Sequence, residues 1–157
     1  MKKTNITVPE LASTIVRFLK VTDLEKNEMG ANNPKVFNEI MFLKVFAIDV
    51  AIYSALRDTG QREAVRDAYY AAYHAKLLEI TKDPSCFGKI ADRLEIYGEA
   101  IRSSCEGGQA NIENVGYAFT EFCEKESLVT AARGTVIFGC LCKAAKDFIN
   151  SFNIILS

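Results

Sequence analysis

The run Ile40-Met41-Phe42-Leu43-Lys44-Val45-Phe46-Ala47-Ile48-Asp49-Val50-Ala51-Ile52-Tyr53-Ser54-Ala55-Leu56 is the most apolar stretch of the chain. Two charges interrupt it, Lys44 and Asp49. In a bilayer both would sit deep in the hydrocarbon, where ionised groups are costly. A helix at the centre of a helical protein suits the same run better, because neighbouring helices then cover nearly all of its faces. No membrane span is therefore expected here. Asn33 and Pro34 give this helix a cap and a first turn. It continues to about Asp58, and Gly60 offers the left-handed residue that follows many helix ends. Lys44 and Asp49 are five apart, about 140° around a helix, so they do not pair with each other. Each is expected to meet solvent or a partner on another helix. If both are buried, they need partners and would mark a polar pocket.

Outward from that helix the chain keeps helical spacing. A first helix reads from about Val8 to Lys20, with Thr7 and Glu10 at capping-box distance. Its Leu11, Ile15, Phe18 and Leu19 share a face. The polar segment Asp23 to Asn33, with Gly30, reads as a loop. A third helix spans about Gln61 to Lys82, and Ala64, Ala68, Ala71 and Ala75 give it a stripe that permits close backbone approach. A fourth opens at Asp83-Pro84 or Ser85. Its seam is Phe87, Ile90, Leu94, Tyr97 and Ile101, and Gly107-Gly108 ends it. Asn111 caps a short fifth helix with Ile112, Val115, Gly116, Phe119, Phe122 and Cys123 on one side. Ser127 caps the sixth, whose seam is Phe138, Leu141, Ala145, Phe148, Phe152 and Ile155. The half before Gly139 is apolar on most faces and is expected to be buried.

Pro9, Pro34 and Pro84 all fall near helix starts, where proline is tolerated. Period-two alternation is weak, so no strands are expected. The reading is all-α: one domain over residues 1–157, a bundle of about six mostly antiparallel helices, with the second, third, fourth and sixth forming the core.

Composition bounds the function. A chain of 157 residues suits one domain. With 19 basic and 20 acidic residues the net charge is −1, so no bulk field steers nucleic acid or an anionic membrane. Five cysteines, an odd number in a chain able to fold without bridges, point to free thiols and a reducing compartment. Lys2 and Lys3 are followed by Asn5, Thr7, Pro9 and Glu10 rather than by a secretory leader's apolar core. A cytoplasmic location follows as the expectation.

The chemistry-bearing residues gather on the third helix. Glu63, Asp67, Tyr70 and His74 follow steps of four, three and four and so share one face. Such a line can relay protons or bind a cation; it is also what a solvated helix face looks like. With Tyr69 and Tyr73 added, Asp67, Tyr70 and His74 would line a small-molecule pocket between helices. His74 is the only histidine, too few for a di-iron bundle. Cys140 and Cys142 point about 200° apart on a helix and cannot chelate together. Neither a metal nor a cofactor is expected. Phosphotransfer domains that use a lone helical histidine place a lysine three residues after it; here Lys76 is two after His74. Gly107-Gly108-Gln109 repeats a release-factor tripeptide, but in an interhelical turn. No phosphate loop, nucleophile elbow or zinc-protease motif occurs.

The run Ala68-Tyr69-Tyr70-Ala71-Ala72-Tyr73-His74-Ala75 resembles a helix found in many HEPN domains, small all-α proteins often associated with RNA cleavage or nucleotide transfer. The resemblance covers one helix. Where complete it implies an arginine followed four to six residues later by a histidine. Arg66 and His74 have seven residues between them, so it implies an RNA-associated domain without the full catalytic motif.

Catalytic motifs are thus lacking while apolar surface on the second and sixth helices is in excess. The expectation is a non-enzymatic interaction or structural module, with a two-fold homodimer as its specific form. A ligand-binding bundle with a pocket near Tyr70 and His74 is the first alternative, and the HEPN-like domain is the second.

Overall fold

A computed structural model describes residues 3–29, 33–81, 84–102, 112–124 and 127–156. In chain order the elements are β1 (Thr4–Thr7), α1 (Val8–Ile15), a 3-10 turn (Val16–Leu19), α2 (Asp23–Met29), α3 (Pro34–Ala55), α4 (Thr59–Thr81), α5 (Cys86–Arg102), α6 (Glu113–Phe122), α7 (Leu128–Asn150) and β2 (Phe152–Ile155). The chain is an all-α helical bundle with one two-stranded parallel tie.

The apolar run is the central helix. The Asn33 side-chain oxygen accepts the Lys35 N–H at 2.9 Å and starts α3. Ile40, Leu43, Val45, Ile48 and Ile52 are wholly buried on it. Each such side chain contributes about 2 kcal/mol relative to exposure. α7 packs along α3, α6 packs along α7, α5 closes on both α3 and α6, and α1 lies on α4. Phe46 of α3 stacks on Tyr97 of α5 and on Phe138 of α7, with centroids 5.5 Å apart in each pair.

The α6–α7 crossing is set by two glycines. A Cβ on Gly116 would stand 2.1 Å from Thr135 Oγ1 and 2.3 Å from the Ala131 carbonyl. One on Gly134 would stand 2.7 Å from the Phe119 ring and 3.4 Å from the Gly116 Cα. Two helix backbones meet where neither carries a side chain.

Several boundaries differ from the sequence reading. The first helix changes to a 3-10 turn at Val16. Asp23–Met29 is a helix rather than a loop: the Thr22 N–H donates to Glu25 Oε2 at 2.7 Å and the Glu25 N–H to Thr22 Oγ1 at 3.2 Å, a capping box. α3 ends at Ala55, where Leu56 turns extended, and Gly60 lies inside the first turn of α4. α7 stops at Asn150, so Phe152 and Ile155 leave the helical seam and form a strand. That strand pairs with β1 from Thr4↔Phe152 to Thr7↔Ile155, and Asn153 Nδ2 donates to Asn5 Oδ1 at 2.9 Å. Asn111, Gly107-Gly108-Gln109 and Cys105 lie outside the described residues.

Candidate functional site

α4 places the expected site residues on two separate sides. Glu63, Asp67 and His74 are exposed, whereas Tyr69 and Tyr73 are buried in the core. The His74 ring packs on Phe87 of α5, centroids 4.1 Å apart. Tyr70 is half-buried beside Tyr69, and the Arg66 guanidinium lies 5.9 Å from its ring. Arg66 is itself held by Asp49 of α3, Nε to Oδ1 at 2.6 Å. Burial pushes the Tyr70 phenol up, and the Asp49 charge adds to this. Tyr70 therefore belongs with Arg66 and Asp49, and Tyr73 stays in the core beneath a different part of the surface.

The charged residues of α3 explain that grouping. Glu39, Lys44 and Asp49 stand at steps of five, so successive side chains turn about 140° around the axis. Each meets a different helix. Glu39 accepts two hydrogen bonds from Arg93 of α5, at 2.9 and 2.8 Å. Lys44 meets Glu25 of α2, 2.7 Å to Oε1, and donates to the Lys20 carbonyl at 2.9 Å. Asp49 takes Arg66 of α4. Lys44 and Glu39 are buried, so each needs the partner it has. The carboxylates are engaged by cations, and the three pairs fasten α2, α4 and α5 to the central helix. Glu39 was not singled out by sequence; its place five residues before Lys44 was the available signal.

Tyr97 of α5 sits beside the Glu39–Arg93 pair. Its ring is wholly buried, and among the described residues its hydroxyl has no hydrogen-bond partner. Burial first, then the Glu39 charge, hold this phenol neutral well beyond the ordinary range.

Two surface features remain. A groove of about 430 Å³ lies between the 3-10 turn, the start of α2, α3 and α4. Its floor is Leu19, Val21, Met41, Tyr73 and Leu77, all buried. Its charged lining residues are Arg17, Lys20, Lys26 and Lys76, all basic. Lys26 also meets Asp23 at 3.5 Å and Lys76 meets Glu79 at 3.0 Å.

The second feature is the outer face of α6 and α7. Tyr117, Leu128, Val129 and Val136 are 51%, 77%, 58% and 61% exposed. Ala132 and the free thiol of Cys140 continue the line. The expectation that the first half of α7 is buried fails on this face, because among the described residues α3 and α6 pack on the helix from the other side. α3, by contrast, is enclosed and leaves little apolar surface to spare. By length and composition α7 is also apolar enough to cross a membrane. Among the described residues no group of three or more His, Cys, Asp or Glu gathers in metal-binding geometry.

Compared with known proteins, the chain matches no family model, no curated protein and no solved structure.

Proposed function

We propose that this chain is a non-enzymatic helical module of the cytoplasm that pairs with a second copy of itself through the α6–α7 face. The observation that carries the reading is the exposed stripe Leu128, Ala132, Val136 and Cys140, flanked by Tyr117. It runs for about 18 Å along α7 at 1.5 Å per residue. Contiguous apolar surface of this kind marks interaction sites.

A two-fold partner fits its shape. A shallow cleft of about 350 Å³ between Tyr117 and Val136 adjoins the ridge, so one surface offers both a ridge and a groove. An isologous interface needs that self-complementarity. Exposed Glu113 and Glu121 lie on α6, and on the far half of α7 exposed Lys143 pairs with Asp147 at 2.8 Å beside exposed Lys146. The exposed Cys140 thiol supports a reducing compartment, since such a thiol oxidises readily elsewhere.

Sedimentation equilibrium over a wide concentration series tests the reading. A reversible monomer–dimer equilibrium is the expected result. A monomer at every concentration overturns it.

A further inference from the structure

We infer that the groove between the 3-10 turn, α2, α3 and α4 binds a free fatty acid, with its alkyl chain on the apolar floor and its carboxylate at the basic rim. The floor and the rim ask for two chemistries at once. Leu19, Val21, Met41, Leu77 and the Tyr73 ring provide a mostly apolar base, while every charged side chain lining the groove is a cation. Asp23 and Glu79 offset Lys26 and Lys76, so the local field at the rim comes from Arg17 and Lys20. Among the described residues, Arg17 and Lys20 have no acidic partner, so their charge is available to a ligand. A purely apolar ligand would leave them unused. A small anion without a chain would leave the floor wet.

The volume, about 430 Å³, lies within the range of about 300–1,000 Å³ usual for small-molecule sites. The rim is also held in place. Buried Lys44 donates to the Lys20 carbonyl at 2.9 Å and pairs with Glu25 at the start of α2. The segment carrying Lys20 and Lys26 is thereby fixed over α3, which favours binding by sparing the cost of ordering it.

The groove uses none of the α6–α7 surface, so this inference stands or falls apart from self-association. Titration calorimetry on the full chain tests it with three ligands, decanoate and decyltrimethylammonium below their micelle concentrations and decanol below its solubility limit. Decanoate is expected to bind saturably at one per chain, at least tenfold more tightly than either of the others. Its affinity should fall as salt screens the exposed rim. The charge-reversed double variant Arg17→Glu/Lys20→Glu should lose at least tenfold in decanoate affinity and keep its helix content, because both side chains are exposed. Val136→Glu should bind decanoate as the parent does. Equal affinity for decanol and decanoate, or no saturable binding, overturns the inference. Decanoate affinity that falls as protein concentration rises would assign the groove to a second copy and overturn it too.

Discussion

The Arg93 guanidinium joins three helices through one carboxylate and one ring. Glu39 of α3 accepts from its Nε and Nη2 at 2.9 and 2.8 Å, and its carbon lies 3.6 Å from the centroid of Phe122 on α6. The Glu39 side chain is 5% exposed and that of Arg93 22%. Replacing Arg93 by Met leaves a buried carboxylate unpaired. The expected loss is about 3 kcal/mol, at the lower end for a broken buried pair because Arg93 keeps some solvent. The double variant Glu39→Met/Arg93→Met should recover most of it. Urea denaturation of the two single variants and the double checks this; additive losses would mean that the pair is not coupled.

Tyr97→Phe is expected to be neutral or to stabilise the fold by up to about 1 kcal/mol. The substitution keeps the stacking on Phe46 and removes a buried hydroxyl that has no partner among the described residues. A loss greater than about 1 kcal/mol in the same denaturation assay would reveal a bond to this hydroxyl.

The buried phenols set the alkaline limit. Burial raises Tyr69, Tyr70 and Tyr97, so the folded state holds their protons to higher pH than the unfolded chain, whose phenols titrate near pH 10. Below about pH 10 both states are neutral and these groups leave stability unchanged. Above it the unfolded chain binds fewer protons, so stability falls as pH rises. Phenolate absorbance from these three should therefore appear together with the loss of helical circular dichroism. Their titration before unfolding would contradict the burial.

How much of this was legible depends on how local the signal is. The central helix was legible because Asn33, Pro34 and an apolar run of helical length announce it within one segment. α2 was missed because its composition is polar, yet Thr22 and Glu25 stand at capping-box spacing, and that signal was there to be used. The β1–β2 tie was not legible: four residues are too few for alternation to register, and Asn5 pairs with a residue 148 positions away. Steps of four, three and four set Glu63, Asp67, Tyr70 and His74 along one side of α4. Its division was decided by Asp49 and Phe87 on other helices, which helix periodicity does not contain. The groove draws its lining from four segments and has no counterpart in any one of them.

The glycine crossing predicts opposite effects for one substitution at two places. Gly116→Ala puts a methyl group against Thr135 and the Ala131 carbonyl, atoms of a packed helix that have little room to move. Overpacking should outweigh the gain in helix propensity and cost about 2 kcal/mol net. Gly88→Ala, on α5, meets nothing within 4 Å and should stabilise by up to about 1 kcal/mol. Thermal denaturation of the two variants checks the pair. A stabilised Gly116→Ala protein would refute the close approach of α6 and α7.

Val136→Glu separates the surface role of α7 from its packing role. Val136 is 61% exposed, while Phe138, two residues on, is buried against Phe46. A glutamate at position 136 therefore leaves the monomer's core intact, and its helical signal should equal that of the parent. In the paired form it would set a carboxylate in each copy within an apolar interface. Like charges near the two-fold axis, together with the desolvation of each, should weaken dimerisation at least a hundredfold, or about 3 kcal/mol. Leu128→Glu, at the end of the stripe, lies closer to the rim and should weaken it less. Sedimentation equilibrium of the two variants beside the parent measures both. If Val136→Glu dimerises as the parent does, the interface lies elsewhere and the α6–α7 face is not the surface that the module uses.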